Sequence, residues 1–153
     1  MTMDRQLTTT DIDKKLSQVH GFLGAFASDE IPQTPAHDFS LVVNVDPSTE
    51  AGSHWIPIIF KNGRFFFIDS YGRYYKDKMF TEQFRDAMCH LFGSSKVICN
   101  TRIIQSLSSN TCGEFAVYFI CEMKENSFET VVGVFSENLK KNDDIVIKYF
   151  KKL

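Results

Sequence analysis

The sequence predicts an α+β domain, and three observations carry this prediction. Short apolar runs that fit strands lie in the first two thirds of the chain, with turn-forming residues between them. Apolar residues recur at helical spacing over residues 81–92. Residues 111–124 are apolar on nearly every side, which is typical of a helix covered by the rest of the fold.

The composition is that of an ordinary soluble globular protein. The chain has 153 residues, of which 43% are hydrophobic and 24% are charged. This length can bury one sizeable core, and no linker or repeat divides it, so residues 1–153 are predicted to form a single domain. The net charge of −2 gives no electrostatic reason to expect a nucleic-acid partner. The lysines near the C-terminus are interpreted as a solvated helix face: Lys140, Lys141, Lys148, Lys151 and Lys152.

The first part of the chain contains one predicted helix and one irregular segment. Thr10 and Asp13 have the spacing of a capping box, which predicts a short helix that ends near Val19. Residues 21–35 contain glycine and proline breakers, so this segment is predicted to be irregular.

A β-hairpin is predicted in the middle of the chain. Residues 39–45 form one strand candidate. Residues 55–60 and 64–69 flank Asn62-Gly63, and Asn-Gly between two apolar runs is a strong hairpin signal. Pro57 lies inside the first hairpin strand, and it predicts a sheet edge or a bulge at that point because proline cannot donate a ladder hydrogen bond.

The second half is predicted to be mainly helical. The helix over residues 81–92 ends at Gly93, which can cap it. Residues 96–100 form another short strand, and the apolar helix follows. By pattern, residues 128–139 and 144–150 fit either a helix or a strand, and helices are favoured there.

Nothing in the sequence directs the chain to a membrane or out of the cell. The first ten residues are polar, and no stretch approaches the roughly 18 apolar residues of a membrane span. An intracellular protein keeps its thiols reduced. The cysteines lack the C-x-x-C spacing of a zinc site, so no metal is expected. Each is therefore interpreted as a packing residue or a nucleophile: Cys89, Cys99, Cys112 and Cys121.

Cys112 is the candidate nucleophile. It lies where the polar loop 108–111 meets the apolar helix, and the positive end of that helix favours the thiolate and lowers the thiol pKa. Gly113 leaves room for a substrate to approach. The alternative is a buried structural cysteine, and the other three cysteines, which lie inside predicted elements, are interpreted in that way.

The hairpin supplies a candidate base with its own carboxylate. If Asn62-Gly63 is the two-residue turn, the ladder sets His54 opposite Tyr71 and Ile56 opposite Asp69. His54 and Asp69 then lie diagonally on one face, within reach of each other. The carboxylate can hold the imidazole in one tautomer while the other ring nitrogen serves the thiol. A slipped turn or a bulge at Pro57 would break this pairing, and either residue alone has an ordinary structural interpretation.

Gln105 is the candidate oxyanion donor. It precedes Cys112 by seven residues, so it can return across the loop and aim its amide N–H, together with the Cys112 backbone N–H, at the oxygen that becomes negative in acyl transfer. Taken alone, Gln105 is an ordinary polar loop residue.

These motifs and an upstream segment follow one another in an order that can be compared with known protein families. Gly-x-His54-Trp55 precedes an acidic residue at the end of the next strand, and Gln105 precedes Cys112-Gly113. Upstream lie Phe22-Leu23-Gly24-x-Phe26, Pro32 and Val43-Asn44. The pattern, which covers roughly residues 21–119, resembles the adenain family, the adenovirus-type maturation cysteine proteases. The His-Trp and Gln/Cys-Gly motifs are shared with the SUMO-specific isopeptidases of the same clan, whereas the Phe-Leu-Gly segment and small size favour the adenain branch, from a virus or a Polinton-type mobile element.

The resemblance implies a central mixed β-sheet flanked by helices, with the catalytic cysteine at the N-terminus of a buried central helix. It also implies that His54 is the base, Asp69 the orienting carboxylate, Gln105 the oxyanion donor and Cys112 the nucleophile. The resemblance further implies that Trp55 shapes the site. The implied substrates are capsid or core precursor proteins, often cut after small residues such as glycine, inside the host nucleus or cytoplasm and in the virion.

Two departures from the family pattern bear on activation. The adenovirus enzymes have Glu at the position of Asp69, and Asp is usual among the isopeptidases. The chain also lacks much of the family's C-terminal region, and Cys99 stands at a different spacing from the glutamine than the family cysteine that bonds an activating peptide. No cofactor is therefore expected to be required, and the net charge of −2 argues further against DNA as an activator.

Three functions are consistent with the sequence. The favoured one is a monomeric endopeptidase that matures capsids. The second is an isopeptidase that removes SUMO-like or ubiquitin-like modifiers, which needs an extended docking surface and a narrow tunnel for a Gly-Gly tail. The third is a non-catalytic binding module with the same fold, and the presence of all four catalytic residue types counts against it.

Overall fold

The computed structural model describes residues 5–153. The elements, in chain order, are α1 (Thr9–Leu16), β1 (Phe22–Phe26), β2 (Phe39–Asn44), β3 (Trp55–Lys61), β4 (Arg64–Phe67), α2 (Glu82–Phe92), β5 (Val97–Cys99), α3 (Cys112–Glu122), α4 (Phe128–Val132) and α5 (Leu139–Lys152). Within residues 5–153, five strands form one sheet in the order β1-β2-β3-β4-β5. The central pairs are antiparallel, and the outer pairs β1–β2 and β4–β5 are parallel. The predicted mixed sheet is therefore confirmed.

Helices cover both faces of this sheet. Side chains alternate between the faces along each strand, so the apolar strands present apolar side chains on both faces. On one face Val42 and Ile59 pack into a cluster with α1, α3 and α5. On the other face Leu41 and Ile58 pack against Phe84 and its neighbours on α2. This burial on both faces confirms that helices flank a central sheet. It also holds in place the strands that carry the candidate site.

The helix α3 lies in the middle of the fold, as predicted. Every residue from Cys112 to Ile120 is buried, and the helix packs against β3, α1 and α5. Its nearly continuous apolar surface is explained by these neighbours on several sides. Its first residue, Cys112, contacts Trp55, where the β2–β3 loop ends.

The predicted start of the first helix is wrong by two residues. The capping box consists of Thr8 and Asp11, which exchange hydrogen bonds of 3.2 and 2.8 Å. Thr10 and Asp13 have the same spacing, so local pattern cannot choose between the two pairs. Asp13 instead accepts a 2.8 Å hydrogen bond from the backbone N–H of Ala25, which ties α1 to β1.

The predicted irregular segment 21–35 contains a strand. Residues Phe22–Phe26 form β1, an edge strand that pairs in parallel with β2 through a shifted register. Gly24, at φ +138°, suggested a breaker, but it is tolerated in an edge strand that is irregular at that point. The parallel pairing brings together segments far apart in sequence, so no local signal revealed it.

The predicted bulge at Pro57 is absent, and a local edge is present only on the β4 side. The residue lies in β3, which has β2 and β4 on its two sides, and the β2–β3 register runs without a bulge. Its carbonyl accepts from Ile68 N–H at 3.3 Å, on the β4 side. An N–H and C=O of one residue point to the same side in an antiparallel ladder. Because β4 ends at Phe67, the missing N–H interrupts no regular pairing.

The remaining elements agree with the predictions in type. The helix α2 starts after Thr81 and ends at Gly93, whose φ is +54°. The C-terminal part is helical, although α4 is shorter than predicted and α5 begins earlier, where the side chain of Asn138 caps it. The C-terminal lysines are all exposed, which confirms a solvated helix face.

Candidate active site

His54 is positioned by the loop between β2 and β3. Asn44, the last residue of β2, accepts hydrogen bonds from the backbone N–H groups of Asp46 and Ser53 at 3.0 and 3.2 Å. Gly52, at φ +90°, lets the loop pass close to Asn44, because a Cβ there would lie 2.8 Å from its amide nitrogen. The His54 carbonyl accepts from Val45 N–H at 3.0 Å. These bonds fix the imidazole at the start of β3.

The hairpin brings His54 to Asp69. The ladder pairs Lys61 with Arg64 and continues to Ile58 and Phe67, which confirms the predicted register. Beyond the ladder, His54 Nε2 and Asp69 Oδ1 are 2.7 Å apart, and both residues are buried. The ring of Tyr71 stacks on the imidazole with centroids 4.8 Å apart. A buried histidine therefore has one ring nitrogen fixed by a carboxylate, which leaves Nδ1 as the other nitrogen.

The Asp69 carboxylate accepts hydrogen bonds from several neighbouring residues. Burial favours the protonated acid, but the hydrogen bonds from His54 and Arg73 outweigh it and lower the pKa of Asp69. Arg73 Nε lies 2.6 Å from Oδ2, and the backbone N–H groups of Tyr71 and Arg73 also donate to the carboxylate. Asn100 donates to the Asp69 carbonyl at 2.9 Å. Asp69 is thus an ionised acceptor held from several sides.

Cys112 is the first residue of α3. Its Sγ accepts a 3.5 Å hydrogen bond from the backbone N–H of Trp55, the residue that follows His54. The nucleophile candidate therefore contacts the residue that follows the base candidate, at the start of β3. The Cys112 side chain is 3% exposed.

The prediction of a lowered thiol pKa at Cys112 is wrong for this state. Burial raises the pKa of Cys112 to about 11, although the backbone N–H of Trp55 acts in the opposite direction. The free-energy cost of removing a thiolate from water exceeds the stabilisation by the helix N-terminus, which is only about 1 kcal/mol. The resting side chain is a neutral thiol, and its ionisation needs a proton acceptor at the site.

Gln105 lies in the loop before α3 and is buried. Its Oε1 accepts from Ser70 Oγ at 2.5 Å, which links the loop to the residue after Asp69. Its Nε2 donates to the carbonyl and hydroxyl oxygens of Ser109, at 3.3 and 3.2 Å. The amide is thus held in place, but its N–H groups are engaged by Ser109 in this state. The structure therefore places Gln105 in the expected loop, and its role as oxyanion donor stays a prediction.

Trp55 and Gly113 are both covered by the N-terminal segment. The indole Nε1 donates to the Leu7 carbonyl at 2.7 Å. A Cβ on Gly113 would lie 2.9 Å from the Leu7 side chain, so the space beside Gly113 holds Leu7. This is a packing reason for glycine that the sequence did not suggest. Contact of either residue with a substrate stays a prediction.

A groove of about 360 Å³ opens beside Trp55. Residues 6–9 form one wall and the loop 44–52 forms the other. Its lining includes Glu30, Asp46 and Glu50. Trp55 links the groove to the candidate site, because its backbone N–H contacts Cys112 Sγ, whereas His54 and Cys112 do not line the groove.

Three contacts of the site were missed from the sequence. Arg73 pairs with Asp69, Tyr71 stacks on His54, and Leu7 packs against Gly113. The hairpin arithmetic set Tyr71 opposite His54, so that contact could have been read from the sequence. Arg73 follows Asp69 by four residues, but the loop has no regular period that would make this spacing a signal. Leu7 is far from Gly113 in sequence.

The other cysteines do not form a second site. Cys99 and Cys121 are half-buried, whereas Cys89 is exposed on α2 rather than packed, which corrects the interpretation of Cys89 as a packing residue. In the part of the chain that the structure describes, no group of three His, Cys, Asp or Glu side chains could hold a metal ion. No helix of residues 5–153 is long and apolar enough to cross a membrane.

Glu114 is a buried carboxyl group two residues after Cys112. It is 1% exposed, and neither side-chain oxygen has a hydrogen-bond partner among the described residues. Burial raises the pKa of Glu114 from the usual 4.5 to about 7. Its negative charge also acts to raise the pKa of Cys112. The carboxyl therefore titrates near neutral pH beside the candidate nucleophile.

We expect Glu114→Gln to remove part of the pH dependence of stability. Because the folded-state pKa lies above the unfolded value, the folded protein holds this proton more tightly, and stability falls as pH rises from about 4.5 through 7. The loss is roughly 2–4 kcal/mol above pH 7. Urea unfolding at pH 5 and pH 8 measures it. The wild type should lose stability across this interval relative to Glu114→Gln, whereas the exposed Glu129→Gln should follow the wild type. Equal pH dependence in all three proteins would contradict the expectation.

Comparisons with known proteins agree with this architecture. No family model matches the chain. The chain is 28% identical over 163 residues to a curated protein named Protease from bovine adenovirus 7, a match that covers 90% of this chain and 80% of that protein. Two crystal structures of the ASFV pS273R protease match the fold at 15% identity, with TM-scores of 0.57 and 0.54. These matches cover 92% and 94% of this chain, and 65% and 68% of the ASFV chains.

The two kinds of comparison support different statements. The ASFV structures show the fold, and this chain spans about two thirds of their length. The adenovirus match covers nearly the whole sequence, including the segments that carry the His-Trp and Cys-Gly motifs. The adenovirus match confirms the resemblance to the adenain family and supports a protease of the cysteine type, and the ASFV structures agree with it in fold.

Proposed function

We propose that the chain is a cysteine endopeptidase that cleaves capsid or core precursor proteins of a virus or mobile element. The observation that carries the proposal is that the His54–Asp69 pair and the contact of Cys112 with Trp55 lie at the same end of β3. There the imidazole is bonded to Asp69 at 2.7 Å, and the Trp55 N–H reaches Cys112 Sγ at 3.5 Å. Nucleophile, base and orienting carboxylate are the parts that thiol hydrolysis needs.

The buried neutral thiol sets the first step of the proposed mechanism. Cys112 Sγ attacks the scissile carbonyl carbon while its proton passes to His54 Nδ1, because Nε2 is engaged by Asp69. Asp69 stabilises the resulting imidazolium. The tetrahedral oxyanion is proposed to replace Ser109 as an acceptor of Gln105 Nε2–H.

The second half of the cycle returns the enzyme to its resting state. The C–N bond breaks, and the leaving amine takes the proton from His54. Water then attacks the Cys112 thioester, with His54 accepting one of its protons. The carboxylic product leaves, and Sγ recovers a proton from the imidazolium.

The groove beside Trp55 is the proposed path of the polypeptide. It lies between the segment 6–9 and the loop 44–52, beside the residue that follows His54. The proposed working form is a monomer inside the infected cell or the virion, and neither DNA nor an activating peptide is proposed as a requirement. The related isopeptidase activity is the competing outcome.

Cleavage assays with two substrate classes test the proposal. The protein is incubated with capsid and core precursors encoded beside it and, separately, with ubiquitin-like and SUMO-like conjugates, and the products are located by mass spectrometry. Internal cuts in the precursors after small residues are expected. Release of intact modifiers without precursor cleavage would instead establish an isopeptidase. Absence of cleavage in both sets, together with no labelling of Cys112 by a thiol-directed inactivator, would contradict a protease function.

A further inference from the structure

The Asp69 carboxylate is shared between two groups on its two oxygens. His54 Nε2 lies 2.7 Å from Oδ1, and Arg73 Nε lies 2.6 Å from Oδ2. Asp69 is fully buried, and the Arg73 side chain is one quarter exposed. The proposed mechanism uses the first contact only. The second contact introduces a permanent positive charge next to the base, because an arginine does not lose its proton in proteins.

Arg73 is held in one position by several contacts. Its backbone N–H donates to the same Oδ2 atom at 3.2 Å. Its guanidinium lies over the ring of Phe80 at 4.4 Å and near that of Tyr71 at 5.5 Å. Tyr71 in turn stacks on the imidazole of His54. Backbone, carboxylate and aromatic contacts therefore bind Arg73 to both partners of the base, which is more than a surface ion pair requires.

The positive charge of Arg73 acts on the Asp69 carboxylate that it contacts. A cation on one oxygen of a carboxylate cancels part of the negative potential that the carboxylate exerts on its surroundings. The same cation helps to lower the pKa of Asp69, so the carboxylate remains an ionised acceptor for the imidazole. Arg73 therefore preserves the orientation of the ring and reduces the net negative charge of the site.

We propose that Arg73 is a positioning residue of the active site, which fixes the Asp69 carboxylate and whose positive charge extends the reactivity of Cys112 to lower pH. This inference rests on the proposed function. The titratable and charged groups that face the pair come from the loop after β4, from β5, from α3 and from α5: Tyr71, Arg73, Cys99, Cys112 and, through Tyr71, Asp143. Among these, Arg73 alone is a permanent cation.

The test measures the pH dependence of Cys112 alkylation by iodoacetamide, which needs no identified substrate. Rates are followed from pH 4.5 to 9, and peptide mass spectrometry separates Cys112 from the exposed Cys89. In Arg73→Gln the acid limb of the profile is expected to move up by about 0.5–1 pH unit, since loss of a cation makes every nearby proton harder to remove. On that limb the variant should react about 3- to 10-fold more slowly than the wild type.

Two variants separate charge from structure. Arg64→Gln removes the same charge at the exposed start of β4 and should leave the limb unchanged. Arg73→Lys keeps the charge but loses the planar group, so its limb should stay within about 0.3 unit of the wild type even if the maximal rate falls. An unmoved limb in Arg73→Gln, or a limb displaced as far in Arg73→Lys, would overturn the inference. The lysine variant decides the matter if Arg73→Gln does not fold. Failure of the proposed function gives a different result, namely no cleavage of precursors or conjugates and no labelling of Cys112 at any pH.

Discussion

Replacement of Cys112 by alanine is expected to abolish polypeptide cleavage while the fold persists. The proposed reaction passes through a thioester, so without Sγ there is no covalent route, and the rate should fall on the order of 10⁴-fold or more. The structural cost is small by comparison. Loss of the buried Sγ leaves a cavity of one atom and frees the Trp55 N–H from a 3.5 Å contact, which together cost about 1–2 kcal/mol.

Cleavage of a precursor, followed by gel electrophoresis, and thermal unfolding of the same samples check this expectation. Cys89→Ala is the matched control, because it removes an exposed thiol on α2 and should leave cleavage at the wild-type rate. Cys112→Ser tests the chemistry at nearly constant size, and it should also be inactive, because a hydroxyl is a far weaker nucleophile at the same position. Retention of more than about one tenth of the wild-type rate in Cys112→Ala would refute the assignment.

The hairpin was predictable because its signals are local. Asn62 and Gly63 both adopt positive φ, +54° and +77°, which a tight turn of this kind requires. Once the turn is fixed, the period of two determines every facing pair, and the register from Lys61–Arg64 to Ile58–Phe67 follows. The proximity of His54 and Asp69 was therefore accessible from the sequence, through arithmetic on one turn.

Contacts between distant segments were not predictable in this way. The strand β1 pairs in parallel with β2, and a parallel partner is chosen by tertiary structure rather than by a turn. Leu7 packs against Gly113 across more than a hundred residues. The start of α1 was ambiguous for a different reason, since Thr8-Asp11 and Thr10-Asp13 have the same spacing. In each case the deciding interaction lies outside the local pattern.

The electrostatics of Cys112 show a further limit of sequence reasoning. The position of the cysteine at a helix N-terminus was predicted correctly, and the helix does favour the thiolate. The sequence could not supply the degree of burial, which depends on Leu7, Trp55 and the sheet together. Burial dominates, and it raises the pKa of the thiol to about 11. The site therefore depends on His54 to take the proton, which gives the His54–Asp69 contact more weight than a preformed thiolate would.

Gln105 carries the second large effect. Substitution by alanine is expected to lower kcat by about 10²–10³-fold with little change in KM, because an oxyanion donor acts mainly in the transition state. Gln105→Glu is the sharper variant. It keeps the size of the side chain and an acceptor for Ser70 Oγ, but it replaces the Nε2 donors with a negative charge where the oxyanion must form. Its kcat should fall at least as far as in Gln105→Ala.

Ser109→Ala is the control that separates donation from support of the loop. In the resting state Ser109 accepts from Gln105 Nε2 through both its carbonyl and its hydroxyl oxygen. Loss of the hydroxyl frees part of the amide without removing a donor, so kcat should stay within about threefold of the wild type. Kinetics with one peptide substrate and melting temperatures of all three variants make the comparison. If Ser109→Ala and Gln105→Ala lost activity equally, or if Gln105→Glu kept the wild-type kcat, Gln105 would support the loop before α3 and would not stabilise the oxyanion. If only the two Gln105 variants lose activity, disruption of the loop does not explain the loss. Ser109→Ala alters the same hydrogen-bonded loop and would then leave activity intact.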